Sequence, residues 1–177
     1  GHAHTSALAI ASLRDRTAYV QTFSKTYAMT GWRVGYLAGP REVVDAAAHV
    51  HRTFNGSVNT AVQHAALAAL ELPDTVVDAM VGTYGRRRET VVAKLSGVPG
   101  VHLVPPEGAF YAFLRYDADL PSEMVARELA ERKVMVRAGA EYGPSGEGYV
   151  RISFAASDDD LRTGLDRIVS HLRGACS

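Results

Sequence analysis

The chain has 177 residues, 47% of them hydrophobic and 21% charged, a composition that supports a folded core and argues against disorder. Nineteen Lys and Arg balance nineteen Asp and Glu, so there is no net field to hold a polyanion or an anionic membrane, and nucleic acid is not an expected partner. The only cysteine, Cys176, leaves no internal disulfide and points to a reducing compartment, the cytoplasm, while no apolar run approaches the roughly 20 residues needed to span a bilayer.

The opening Gly1-His2-Ala3-His4 has no initiator methionine, basic region or apolar region, so the chain is read as part of a longer one. Thr17 to Phe23 is rich in β-branched and aromatic residues and is predicted as a strand. Ser24 to Trp32 is then a loop, and Arg33 to Ala38 a second strand closed by Gly39-Pro40. Glu42 to Arg52 is an Ala-rich helix. Asn59 to Leu70, with Val62, Ala66, Leu67 and Leu70 at helical spacing, is a buried one. A longer helix runs from Asp74 to Leu95, with a bend expected at Gly82 and Gly85. Beyond Gly100 the pattern is α+β. Strands are predicted at Val101 to Val104, Ala109 to Leu114, Val134 to Arg137 and Tyr149 to Phe154, and a helix from Pro121 to Arg132. Gly139 to Gly148 is a Gly-rich loop, and Ser157 with Asp158, Asp159 and Asp160 opens a final helix.

The stretch Thr22 to Tyr36 carries the chemistry. Thr22 and Ser24 can donate hydrogen bonds to a phosphate, and Arg33 offers a charge-assisted fork. Lys25 stands beside them, and a lysine kept partly neutral forms Schiff bases with carbonyls. The alternative, an idle solvated lysine and a surface arginine, stays open from the residues alone. Arg151 has the same two readings. In an alternating strand it shares a face with Tyr149 and Ser153, and that face meets either solvent or a polar cleft. The pairs His2-x-His4 and His49-x-His51 have no companion ligands at metal-binding spacing, so no metal site is expected. Arg86-Arg87-Arg88 reads as a solvated helix face.

The run Ser24-Lys25-Thr26-Tyr27-Ala28-Met29-Thr30-Gly31-Trp32-Arg33-Val34-Gly35-Tyr36 resembles the cofactor-lysine signature of class I and II aminotransferases, the fold-type-I pyridoxal-phosphate enzymes, in the form of their aspartate-aminotransferase-like members. Asn59 to Ala66 is similar to the family's Gln-containing helix, Pro106 to Phe113 to its Gly-Ala-Phe-Tyr strand, and Gly148 to Ala155 to its late arginine-bearing strand. The resemblance implies that pyridoxal 5′-phosphate is the cofactor, Lys25 the Schiff-base lysine, Thr22 and Arg33 phosphate ligands, and Arg151 the grip on the substrate α-carboxylate. Where family members often carry Pro-Gly, this chain has Ala138-Gly139.

The implied fold is α/β: the end of a large cofactor domain in residues 1–90, then a small α+β domain in residues 91–177. The implied activity is transfer of an amino group from an amino acid to a 2-oxo acid, in a homodimer. A lyase or synthase on the same scaffold, or an aminotransferase-like effector domain of a transcription regulator, are the alternatives. The ring-nitrogen aspartate, its tyrosine and the asparagine that the resemblance places upstream are not among these residues, so this piece by itself is expected to be inactive.

Overall fold

The structure, a computed structural model, describes residues 4–175; His2 and Cys176 lie outside them. It divides into two compact units between Ala79 and Met80. In the first, a short helix α1 (Ala11–Arg14) precedes strand β1 (Tyr19–Thr22). Thr22 ends that strand because its side-chain oxygen accepts from the Ser24 backbone N–H, capping a one-turn helix α2 (Phe23–Thr26). The predicted loop Ser24 to Trp32 therefore holds this turn and a 3₁₀ turn at Thr30–Trp32. Strand β2 (Gly35–Ala38) pairs antiparallel with β1, Thr22 opposite Gly35 and Tyr19 opposite Ala38. It starts two residues later than expected, because Arg33 takes left-handed angles, φ 53° and ψ 51°.

Helix α3 (Arg41–Phe54) and helix α4 (Thr60–Leu70) follow, the latter capped by Asn59, which accepts from the Ala61 and Val62 N–H groups. The expectation that α4 is buried is only half met. Ala66 and Ala69 join Phe23 and Met29 in a small core, but Leu67 and Leu70 are 58% and 57% exposed. Each leucine is rotated about 100° from the alanine before it, and α4 is apolar on both faces, so spacing alone does not select the packed one.

Helix α5 (Asp74–Leu95) has the predicted bounds and runs uninterrupted through Gly82 and Gly85. Glycine lowers helix propensity by about 1 kcal/mol but keeps its N–H, so the hydrogen-bond ladder continues across both positions. Val91 and Leu95, buried near its end, anchor it in the second unit's core.

That second unit is α+β. Strands β3 (Val101–Leu103), β4 (Tyr111–Tyr116), β5 (Arg137–Ala138) and β6 (Tyr149–Ser153) form one antiparallel sheet in the order β3-β4-β6-β5. Helix α6 (Ser122–Glu131) and helix α7 (Asp158–Ala175) supply the remaining core. Ala112, Leu114, Val150 and Ile152 face inward onto Val125, Leu129, Leu165 and Ile168. The alternate residues Phe113, Arg115, Tyr149, Arg151 and Ser153 face outward, as the period-2 pattern requires. Ser157 caps α7, its Oγ accepting from the Asp160 N–H at 3.1 Å.

The arginine run departs from its expected solvated face. Arg86 bonds locally to Thr83, but the Arg87 Nε pairs with Asp158 at 3.0 Å and the Arg88 Nε donates to the Pro106 carbonyl. Consecutive helical residues point about 100° apart, so a run of three cannot share one face.

His171 on α7 is 7% exposed, with its Nε2 3.2 Å from the Glu128 carboxylate but not aligned for a hydrogen bond. Burial lowers its pKa, the Arg132 charge lowers it further, and Glu128 opposes both. The folded state then binds fewer protons than the unfolded one below the free-histidine value of about 6.5, so stability is full above that pH and declines as pH falls toward the folded pKa. Melting temperature should drop between pH 7 and pH 5, and the dependence should flatten in His171→Gln. An equally steep profile in the variant would assign the acid sensitivity to other groups.

Candidate active site

The first unit builds its site around the turn that leaves β1. Phe23 and Met29 are buried and fix the two ends of the segment from below, with Phe23 stacked on Tyr27 at 5.4 Å between ring centres. Their neighbours Thr22, Ser24 and Lys25 consequently point away from the core, Thr22 and Lys25 exposed and Ser24 half-buried. Thr22 Oγ1 donates to Ser24 Oγ at 2.8 Å and accepts from the Ser24 N–H at 3.1 Å. Thr30 Oγ1 donates to the Ser24 carbonyl at 2.9 Å, closing the segment back on itself.

Arg33 reaches this cluster by an unusual backbone path. Its left-handed φ of 53°, and that of Ala28 at 54°, are conformations that cost a non-glycine residue about 1–3 kcal/mol and gather at functional segments. The Arg33 Nη1 donates to the Thr30 carbonyl at 2.9 Å, fixing the guanidinium against the loop. Gly35 allows the close approach of β2 that follows, since a Cβ there would stand 2.5 Å from the Gln21 carbonyl oxygen. An open cavity of about 370 Å³ results, lined by Thr22, Ser24 and Arg33 with Gln21, Gly35 and Tyr36 among others, and by no carboxylate. Two hydroxyls and a guanidinium without an opposing negative charge suit a phosphate. Lys25 stands one residue beyond Ser24 on the same exposed turn and does not itself line the cavity.

Arg151 belongs to the second unit, on the outer face of its sheet. It is half-buried, its guanidinium carbon 4.3 Å from the centre of the Tyr111 ring and 4.9 Å from that of Tyr142. Arg137 lies directly opposite it on β5 but is paired with Glu141. Thus Thr22, Ser24 and Arg33 come together at one cavity of the first unit with Lys25 on the adjoining turn, and in the second unit Arg151 has an aromatic setting.

Sequence reasoning left Tyr111 without a role and passed over Tyr142. The register signal for Tyr111 was present, since it lies diagonally across from Arg151 when Phe113 faces it, but nothing in the pattern carries Tyr142 back over the sheet. Among the described residues no group of three or more His, Cys, Asp and Glu is placed to hold a metal ion, and His49 and His51 are exposed on α3. No helix of the described residues is long and apolar enough to cross a membrane.

Comparison with known proteins sets this arrangement in a family. The aminotransferase class I and II family matches residues 2–168. The aspartate aminotransferase of Pyrococcus horikoshii is 37% identical over 164 residues, which is 90% of this chain and 42% of that protein. That of Thermotoga maritima is 39% identical over 168 residues, 95% of this chain and 43% of that protein. The crystal structure of the aromatic aminotransferase from Pyrococcus horikoshii is similar with a TM-score of 0.89 and 35% identity, covering 97% of this chain and 46% of that one. The chain spans less than half the length of the relatives it matches, and over that span its sequence and its fold agree with theirs: it belongs to the class I and II aminotransferase family.

Proposed function

We propose that the whole protein containing this chain is an aminotransferase that uses pyridoxal 5′-phosphate, the family's cofactor, to move an amino group from an amino acid to a 2-oxo acid. The observation that carries the reading is the carboxylate-free cavity where Thr22, Ser24 and Arg33 converge beside the turn bearing Lys25. The cofactor, when bound, supplies an aldehyde that takes up amino groups and a ring that accepts the electron pair left at the substrate Cα.

The chain's own residues do the rest. Thr22 and Ser24 hydroxyls donate to the phosphate, and Arg33 neutralises it with charge-assisted hydrogen bonds from a guanidinium already oriented by Thr30. Lys25 Nζ would hold the cofactor covalently between turnovers and, when free, would serve as the base that carries the proton leaving the substrate Cα. Arg151 grips the α-carboxylate shared by amino acid and 2-oxo acid, presenting a planar fork that a carboxylate matches in two hydrogen bonds. A homodimer in the cytoplasm completes the reading, supported by the family resemblance and by the single cysteine.

The assignment of Lys25 is tested by reducing the whole protein, loaded with pyridoxal phosphate, with borohydride and mapping its peptides by mass. The adduct is expected on Lys25, and labelling of a different lysine would remove Lys25 from the site.

A further inference from the structure

We propose that Tyr111 and Tyr142 are positioning residues for Arg151, holding its guanidinium between two aromatic rings so that its in-plane N–H donors meet the substrate carboxylate in a fixed orientation. The proposal rests on the reading of Arg151 as the carboxylate grip. Its geometry stands independently.

The rings come from opposite sides of the strand that bears the arginine. In the sheet order β4-β6-β5, Tyr111 lies on β4, one neighbour of β6, and Tyr142 in the 3₁₀ turn Gly139–Tyr142 that continues from β5, the other neighbour. Their centroids stand 4.3 Å and 4.9 Å from the Arg151 guanidinium carbon, within cation–π range. A guanidinium held over ring faces keeps its N–H groups in its own plane, so the contact fixes the fork without occupying its donors. Among the described residues no carboxylate pairs with Arg151, while its cross-strand neighbour Arg137 is answered by Glu141. The face is thus arranged to leave one cation for an external anion.

Both tyrosines are themselves anchored. Phe110, stacked at 5.4 Å on Tyr84 of α5, packs 4.5 Å from Tyr111, and the Arg88 side chain holds the Pro106 carbonyl at the start of the same approach. Tyr142 meets Phe113 edge-on at 5.9 Å. Its loop is closed by Gly139 and Gly146, packed so closely that a Cβ on Gly139 would stand 2.0 Å from the Gly146 carbonyl oxygen. Glu147 then ties the loop to α6, whose N-cap position is Pro121 and has no side-chain cap. The Glu147 carboxylate accepts from the Ser122 N–H at 2.6 Å and from its Oγ at 3.2 Å. The Ser122 backbone hydrogen bond first, and then one from the Gly148 N–H, hold the Glu147 pKa below its usual value against an opposing effect of burial, with a smaller contribution from the Ser122 hydroxyl. So the ring over Arg151 sits on a braced segment.

The test is a double-mutant cycle in the whole protein, with L-aspartate, L-tyrosine and 2-oxoglutarate as substrates and the cofactor's absorbance recorded for every variant. Tyr142→Leu is expected to raise KM for amino acid and oxo acid on the order of 3- to 30-fold, with a smaller change in kcat and unaltered cofactor absorbance. Tyr142→Phe, which keeps the ring, should restore most of that loss. In an Arg151→Gln background, where no cation remains to be held, Tyr142→Leu should add less than about 2-fold. Equal penalties in both backgrounds, or no penalty in either, would overturn the proposal. If Tyr142→Leu does not fold, the cycle is run with Tyr111→Leu, for which the same results are expected and the same results would overturn the proposal. An Arg151→Gln protein with unchanged KM is a different result: it removes Arg151 from the carboxylate, and the function given to the tyrosines goes with it.

Discussion

Lys25→Ala in the whole protein is expected to slow amino transfer by about 10²–10⁴-fold from loss of proton transfer alone, with loss of the covalent attachment added to it. The size follows from what one atom does twice. In the proposed reaction Nζ is both the anchor of the cofactor and the carrier of the Cα proton, a task that the polar side chains of the adjoining cavity would have to take over. Thr22, Ser24 and Arg33 cannot, since hydroxyls and a guanidinium are poor bases at neutral pH. Those three residues are untouched by the substitution, so the phosphate anchorage should survive. The variant should therefore still bind pyridoxal phosphate reversibly, show no borohydride adduct at this peptide, and fail in single-turnover reactions with amino acids followed by absorbance. A variant that kept the parent rate would show that Lys25 is an ordinary exposed lysine, the reading its residue type favours when considered alone.

How far the sequence could be read depended on the kind of interaction that fixed each element. Strands β4 and β6 and helix α5 are set by periodic burial, a signal carried by every second or every third to fourth residue, and they were located within a few residues. The site segment was recognisable as a motif, but its shape was not. Thr22 caps a turn and Arg33 adopts a left-handed backbone, and both depend on single hydrogen bonds and local strain that no periodicity expresses. Arg87 and Arg88 were misread because a run of like charges suggests a solvated face, whereas their partners Asp158 and Pro106 lie far along the chain. Tyr142 was invisible for a similar reason. A ring in a Gly-rich loop gains its position from the Gly139 and Gly146 contact and from Glu147 on Ser122, and those contacts are tertiary.

Arg151→Gln should lower kcat/KM by about 2–5 kcal/mol of transition-state binding, and Arg151→Lys by about 2, near the lower limit, because lysine keeps the charge but loses the planar fork. At about 1.4 kcal/mol per factor of ten, the lysine variant should fall roughly 30-fold. Arg151 is half-buried rather than fully enclosed, which is why the lower part of the range applies to the conservative change. The pattern across substrates discriminates more sharply than the size. An α-carboxylate is common to every amino acid and to every 2-oxo acid, so L-aspartate, L-tyrosine and L-alanine should each lose by nearly the same factor, and so should 2-oxoglutarate and oxaloacetate when varied as acceptors. The cofactor's absorbance should not change, since Thr22, Ser24 and Arg33 form their cavity within the first unit. A loss confined to dicarboxylic substrates would mean that Arg151 reads the side chain instead of the α-carboxylate. Unchanged kinetics with all of them would mean that its two aromatic neighbours hold it for packing alone.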